Sequence, residues 1–179
     1  MRRTPGASGI GGRRFAQTGD GGFCLHIGDI VARKRKLLEA PHVEGNTKSG
    51  ITLVEYGDYQ CPFCGQYFPI VKQVQAEFND QIAFQFRNFP LVSVHQNAFA
   101  GARAAEAAAL QGKFWEMHDL LYQNQSQWSE GGDPTSFFKQ YALQLGLNVD
   151  QFNKDYASTK VNNAINADMI SQTSRRVRV

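Results

Sequence analysis

The first hydrophobic pattern of the chain that predicts regular structure begins near residue 50. Residues 51–56 read Ile-Thr-Leu-Val-Glu-Tyr, a run rich in β-favouring residues that Gly50 and Gly57 bound. This pattern predicts a buried strand. Residues 66–78 then carry apolar side chains at helical spacing, which predicts an amphipathic helix. The apolar positions expected to face the core are Tyr67, Ile70, Val71, Val74 and Phe78.

A second strand is predicted over residues 81–89, where Ile82, Phe84 and Phe86 occupy alternate positions before Pro90 ends the run. Strand, helix and strand in this order form a β-α-β unit. Because such crossovers are almost always right-handed, we expect the two strands to be parallel.

The sequence pattern of residues 94–169 predicts four consecutive helices. The first spans residues 98–109, where eight of twelve residues are alanine. Asp133 is expected to cap the third helix, which Pro134 opens and Gly146 stops, and Asp150 is expected to cap the fourth. The expected core-facing residues of the last three helices are Phe114, Met117 and Leu121, then Phe137, Tyr141 and Leu145, then Phe152 and Tyr156.

Composition places the chain among globular proteins, with 179 residues, 42% hydrophobic residues and no apolar run long enough to cross a membrane. Charge is uneven along the chain. The first 41 residues carry eight basic and three acidic groups, the last nine carry three arginines, and the remainder has a net charge of −5. We therefore predict three segments: a disordered, basic, glycine-rich stretch over 1–40, one domain over 41–170, and an irregular basic tail over 171–179.

The basic ends lack the interleaved aromatic residues of a nucleic-acid-binding surface, so no specific nucleic-acid partner is predicted. Residues 1–40 also lack the uninterrupted apolar segment of a secretory signal peptide.

The chemistry is concentrated in Cys61-Pro62-Phe63-Cys64, directly after the first strand. Pro62 fits the first turn of a helix, so the helix is expected to begin inside this motif. Cys61 then lies at the positive end of the helix dipole, which favours its thiolate. Cys64 lies about one turn further in, where burial is expected to keep it protonated.

The segment from Val54 to Cys64, Val-Glu-Tyr-Gly-Asp-Tyr-Gln-Cys-Pro-Phe-Cys, resembles the thioredoxin superfamily and, within it, the DsbA-like thiol-disulfide oxidoreductases. Residues 114–118, Phe-Trp-Glu-Met-His, extend the resemblance into the helical region. The resemblance implies an α/β, thioredoxin-like fold with a β-α-β start and a helical insertion. It also implies exchange of disulfides with substrate proteins and an unidentified redox partner, without a cofactor or a metal.

The resemblance assigns roles to individual residues. Cys61 matches the nucleophilic cysteine and Cys64 the resolving cysteine of a redox-active disulfide, with Pro62 and Phe63 between them. Glu55 matches a buried carboxylate that relays a proton to the resolving thiol in many relatives, and Pro69 matches a helix-kinking proline. Relatives typically work outside the cytoplasmic membrane, so the resemblance implies an extracytoplasmic location.

One part of the family pattern has no match. Relatives continue after the helical insertion with a cis-proline loop that faces the cysteines, then two strands and a closing helix. No proline of this chain lies beyond Pro134. The C-terminal strands are therefore expected to be missing from this sequence, which leaves one edge of the strand at 51–56 without its neighbour.

Several alternatives remain open from the sequence. The chain could be a truncated remnant of the fold with impaired catalysis, or Cys61 and Cys64 could form half of a zinc site that Cys24 and His26 complete. We interpret Cys24 as an adventitious free thiol and His95 as a residue that caps a helix start or satisfies one of its polar groups. His118, Trp115 and Trp128 are interpreted as packing residues.

Overall fold

The computed structural model describes residues 41–173. The predictions for residues 1–40, including Cys24 and His26, lie outside the described residues, as does the tail from residue 174. In the described part three strands form one sheet: β1 (Val43–Gly45), β2 (Thr52–Gly57) and β3 (Ala83–Asn88). The helices are α1 (Pro62–Phe78), α2 (Ala98–Ala109), α3 (Phe114–Gln123), α4 (Gln125–Trp128), α5 (Thr135–Gln144), α6 (Val149–Tyr156) and α7 (Thr159–Thr173).

The sheet has the order β1-β3-β2, with β3 in the centre. β2 and β3 are parallel and in register from Thr52 opposite Ala83 to Gly57 opposite Asn88, so the predicted β-α-β unit is confirmed. β1 is antiparallel to β3 and was not predicted, because three residues are too few to show a period. It is anchored by His42, whose Nε2 lies 2.7 Å from Oε1 of Glu106 on α2.

α1 differs from its prediction in the side that faces the core. Cys64, Phe68 and Val71 pack against the core, whereas Tyr67 and Phe78 are exposed and Ile70 is 51% exposed. Residues 64, 68 and 71 are separated by four and three positions and share one face of a helix. Residues 63, 67 and 70 repeat the same spacing about 100° around the helix axis, and this second face points to solvent.

The predicted helices are all present, with small shifts at their starts. α2 is confirmed over Ala98–Ala109, and most of its alanines are buried. Oδ1 of Asp133 accepts a hydrogen bond from Thr135 N, but α5 begins at Thr135, so Pro134 precedes its first turn. The prediction that Asp150 caps α6 is wrong: Asn148 caps it, because the Asn148 side chain accepts the backbone N–H of Gln151.

α7 packs against β3 and α2, and it continues to Thr173, three residues past the predicted domain end. Asp168 fixes the helix to the sheet: it accepts hydrogen bonds from Arg87 Nη1 at 2.8 Å and from Asn88 N at 3.0 Å. Among residues 41–173, no helix is long and apolar enough to span a membrane.

Candidate active site

The Cys-Pro-Phe-Cys motif forms the junction between β2 and α1. Cys61 occupies the N-cap position with an extended backbone, and Pro62 begins the helix. The backbone N–H of Cys61 donates to Asp58 O, and Cys61 O accepts from Gly65 N, both at 3.1 Å. The structure therefore places Cys61 at the N-terminus of α1, as predicted, where the helix dipole favours a negative charge.

Asp58 holds this junction from one side. Its buried carboxylate accepts the backbone N–H of Gln60 at 2.8 Å and that of Leu91 at 2.9 Å. Nδ1 of His95 lies 2.7 Å from the second carboxylate oxygen. The interpretation of His95 as a cap is wrong for its side chain: the ring pairs with Asp58, and Gln60 Oε1 accepts the backbone N–H of Asn97 at the start of α2.

Gln125 holds the junction from the other side. Its Nε2 donates to Tyr59 O at 2.8 Å and to Cys61 O at 2.9 Å, so one amide group fixes two carbonyls of the turn. Sequence reasoning missed both Asp58 and Gln125. Asp58 lies three residues before Cys61 and could have been found as a turn-forming carboxylate, whereas no local pattern marks Gln125, which lies 64 residues from Cys61.

The two motif thiols are free and half-buried, and their neighbour Phe63 is 70% exposed. Burial raises the pKa of the Cys64 thiol to about 12. The charge of Cys61 and a hydrogen bond with it contribute to this rise, and a hydrogen bond from the Asp58 backbone opposes it. Cys64 therefore keeps its proton at neutral pH.

Glu55 lies on β2, in register with the fully buried Phe86. Burial raises the pKa of its carboxyl from 4.5 to about 7, and no hydrogen bond or ion pair to another residue within 41–173 opposes that shift. A carboxyl with this pKa exchanges its proton readily near neutral pH. Burial raises the pKa values of Tyr59 and Tyr122, and the negative charge of Glu55 contributes to both increases.

His118 lies at the centre of a buried aromatic cluster. Its Nδ1 is 3.0 Å from the Tyr59 hydroxyl, and burial lowers the pKa of its ring to about 3. The ring is therefore neutral and fits the predicted packing role.

Trp128 is also buried, and its Nε1 donates to Leu121 O at 2.9 Å. Trp115 is partly buried and packs against the rings of Phe84 and Phe114.

A metal site would need several ligands in one place. Within the described residues, no group of three or more His, Cys, Asp or Glu side chains is placed to hold a metal ion.

Residues 38–178 match the sequence model of the thioredoxin family. This chain belongs to that family. The match covers the whole β-α-β unit and the helices that follow it.

Solved structures of a thioredoxin-like oxidoreductase, a DsbA protein and BdbD share this fold. A thioredoxin-like oxidoreductase from Silicibacter pomeroyi superimposes with a TM-score of 0.62 at 26% identity, over 77% of this chain and 76% of that one. The thiol-disulfide exchange protein α-DsbA2 from Wolbachia pipientis gives 0.67 at 20% identity, over 84% and 78%. BdbD from Bacillus subtilis gives 0.65 at 20% identity, over 76% of each chain. The fold is thus thioredoxin-like, as predicted.

The curated proteins that resemble this chain in sequence are named as Na(+)/H(+) antiporters. A Na(+)/H(+) antiporter NhaA 1 from Mycolicibacterium gilvum is 41% identical over 134 residues, which are 73% of this chain and 21% of the antiporter. One from Mycolicibacterium vanbaalenii is 43% identical over 116 residues, which are 64% and 18% of the two proteins. This chain spans about a fifth of the length of these relatives.

Proposed function

We propose that this chain is a thiol-disulfide oxidoreductase that exchanges disulfides with substrate proteins through Cys61 and Cys64. The observation that carries the proposal is the asymmetry of the two thiols. Cys61 lies at a helix N-terminus with its backbone held in place, while burial keeps the proton on Cys64. Cys61 is thus suited to attack a substrate disulfide or to be attacked by a substrate thiolate. Cys64 is suited to form the Cys61–Cys64 disulfide afterwards.

The proposed reaction passes through a mixed disulfide at Cys61. The Cys61 thiolate attacks one sulfur of a substrate disulfide, the substrate S–S bond breaks, and the other substrate sulfur leaves as a thiolate. Cys64 then loses its proton and attacks Cys61, so that the Cys61–Cys64 bond forms and the second substrate thiol is released. Substrate oxidation is the same sequence in reverse.

Glu55 is proposed as the group that accepts the Cys64 proton. Glu55 lies on β2, the strand that leads into the motif, and its carboxyl has a pKa of about 7, so its charged form can take up a proton at neutral pH. Phe63, exposed beside Cys61, offers apolar contact to a substrate polypeptide. Sodium–proton exchange is not proposed for this chain, which corresponds to about a fifth of the antiporters it resembles.

An extracytoplasmic site of action is proposed from the family resemblance, together with a redox partner that resets the cysteines. Its test is the distribution of the tagged chain between cell compartments, read together with the oxidation state of Cys61. A chain found in the cytosol with Cys61 reduced would contradict it.

The test of the activity uses the full chain and a fluorescent peptide that carries one disulfide. The wild-type chain is expected to reduce the peptide and become oxidised. Cys64→Ser is expected to accumulate a mixed disulfide with the peptide at Cys61, and Cys61→Ser to form none. Iodoacetamide is expected to alkylate Cys61 well before Cys64.

Two results would contradict this assignment. A folded wild-type chain that exchanges no faster than Cys61→Ser supports the impaired remnant instead. Stoichiometric zinc binding that is lost in Cys24→Ser supports the zinc site.

A further inference from the structure

His95 and Asp58 form a pair of opposite charge type directly beside the redox motif. Nδ1 of His95 lies 2.7 Å from Oδ2 of Asp58, and the side chains are 19% and 2% exposed. A buried carboxylate is costly unless a positive group or hydrogen bonds compensate its charge. Among residues 41–173, no lysine or arginine forms an ion pair with Asp58, so His95 is its basic partner there.

Asp58 in turn contacts both cysteines through its backbone. Its carbonyl accepts the backbone N–H of Cys61 at 3.1 Å, and a hydrogen bond from its backbone reaches the thiol of Cys64. Its carboxylate also accepts the backbone N–H of Gln60, the residue before Cys61, at 2.8 Å. A series of direct contacts therefore connects the ring of His95 with the two thiols, and Asp58 takes part in all of them.

A charge at this position acts on only one of the two redox states. The disulfide is uncharged, whereas the reduced motif carries its negative charge on the Cys61 thiolate. Burial raises the pKa of Cys64 to about 12, and the negative charge of Asp58 contributes to that rise, so an uncompensated Asp58 opposes thiolate formation in the motif. A positive charge on His95 offsets the charge of Asp58 and favours the reduced state.

We propose that His95 is a positioning residue whose positive charge, held against Asp58, stabilises the reduced motif and makes the Cys61–Cys64 disulfide a stronger oxidant. A disulfide accepts electrons more readily when its dithiol form is stabilised. His95 pairs with Asp58 and acts on the thiols through that residue. This inference rests on the proposed function, because it concerns the equilibrium between the dithiol and the disulfide.

The test is the equilibrium of the full chain with glutathione, and every chain carries Cys24→Ser. The Cys61 thiolate attacks glutathione disulfide, and one glutathione leaves as a thiolate. Cys64 then loses its proton and attacks Cys61, and the second glutathione leaves. The chain is oxidised by two electrons while one glutathione disulfide is reduced to two thiols. Acid quenching and alkylation give the ratio of reduced to oxidised chain by mass.

Two substitutions of His95 separate its charge from its ring. His95→Gln keeps an N–H donor for Asp58 but carries no charge, and it is expected to lower the ratio of reduced to oxidised chain by about three- to tenfold. Iodoacetamide is expected to alkylate Cys61 more slowly in this variant by a similar factor. His95→Lys restores a positive charge without the ring and is expected to keep both values within about twofold of the wild type.

His42→Gln is the matched control. Nε2 of His42 also lies 2.7 Å from a buried carboxylate, that of Glu106, and both side chains are less than a tenth exposed. His42 precedes β1, on the opposite side of β3 from β2. This substitution removes a comparable pair away from the motif, so it is expected to leave the glutathione equilibrium and the alkylation of Cys61 unchanged.

A double variant keeps the test decisive if His95→Gln alone disturbs folding. His95→Gln with Asp58→Asn removes both charges together and is expected to return the ratio to within about twofold of the wild type. A wild-type ratio in His95→Gln would overturn the inference. An equal shift in His42→Gln, or a His95→Lys ratio as low as that of His95→Gln, would also overturn it.

The proposed function fails in a different way. A folded wild-type chain that forms no Cys61–Cys64 disulfide at any ratio of glutathione to its disulfide would contradict the proposed exchange activity. The rate of Cys61 alkylation in His95→Gln, relative to the wild type, would still show whether His95 stabilises the thiolate.

Discussion

At the scale of single residues, the site is defined by groups whose protonation the fold has changed. Burial keeps the proton on Cys64 and raises the pKa of Glu55 to about 7. The same burial lowers the pKa of His118 to about 3, which removes this histidine from acid–base chemistry near neutral pH. Cys64 and Glu55 therefore remain as the two candidate acidic groups with raised pKa values, and Glu55 changes its charge near neutral pH.

The Glu55 carboxyl should also make stability depend on pH. Its pKa in the folded chain lies above its unfolded value of 4.5, so the folded state binds more protons and loses stability as pH rises from about 4.5 through about 7. Glu55→Gln removes this loss. Between about pH 5 and pH 8, the wild type is expected to lose roughly 2 to 3 kcal/mol of unfolding free energy relative to the variant.

Urea denaturation at the two pH values measures this difference. Glu130→Gln, at an exposed position, serves as the control and is expected to keep the wild-type pH dependence. If Glu55→Gln tracks the wild type at both pH values, the carboxyl has an ordinary pKa and the relay loses its acceptor.

At the scale of elements, two segments distant in sequence hold the reactive turn between β2 and α1. Asp58 follows the end of β2 and α1 begins at Pro62, while α4 contributes Gln125. The loop before α2 contributes His95, which pairs with Asp58. Because the turn is fixed through backbone carbonyls and amides, its geometry depends on these neighbours more than on the side chains of the motif.

Gly65→Ala tests how Gln125 holds the turn. Alanine normally stabilises a helix by about 0.5–1 kcal/mol over glycine. Here the new Cβ would clash with Gln125 Oε1, so the amide must move away from Tyr59 O and Cys61 O. Because each lost hydrogen bond removes about 0.5–1.5 kcal/mol, unfolding free energy is expected to fall by about 1 kcal/mol.

Gly132→Ala is the matched control for thermal and urea denaturation. No heavy atom lies within 4 Å of a Cβ added there, so its effect is expected to stay within about 0.5 kcal/mol. A gain in stability from Gly65→Ala would show that Gln125 does not hold the turn.

At the scale of the whole molecule, β3 lies between β1 and β2, and β2 is an edge strand of the sheet that residues 41–173 form. Within the described residues, no strand pairs with the outer edge of β2. Leu53 on this strand is 40% exposed, and the outward face of α1 adds Tyr67 and Ile70. Unpaired strand edges beside apolar side chains promote association between chains.

We expect the 179-residue chain to self-associate as its concentration rises. Leu53→Lys places a charge on the edge strand and is expected to return the chain toward the 20.0 kDa monomer in sedimentation experiments. Leu143→Lys adds the same charge on α5, at a residue that is 69% exposed, and is expected to leave association unchanged. A monomeric wild type, or equal effects of the two variants, would contradict association through β2.

The sequence by itself determined the features that depend on neighbours along the chain. The strand at 51–56, the helix that begins within the motif, the second strand and the alanine-rich helix all follow from local period and propensity. The position of Cys61 at a helix N-terminus follows in the same way, because Pro62 and the preceding β-rich run are adjacent in sequence. The motif and its surroundings were also sufficient to indicate the thioredoxin-like fold.

Only the tertiary structure decided which groups meet. His95 pairs with Asp58 from 37 residues away, and Gln125 binds the Cys61 carbonyl from 64 residues away, distances over which no local pattern operates. It also decided which of the two apolar faces of α1 turns inward, because both have helical spacing and only the packing of β2, β3 and α3 selects between them. The raised pKa values of Glu55 and Cys64 have the same origin, since burial is a property of the assembled core and not of the residues that enter it.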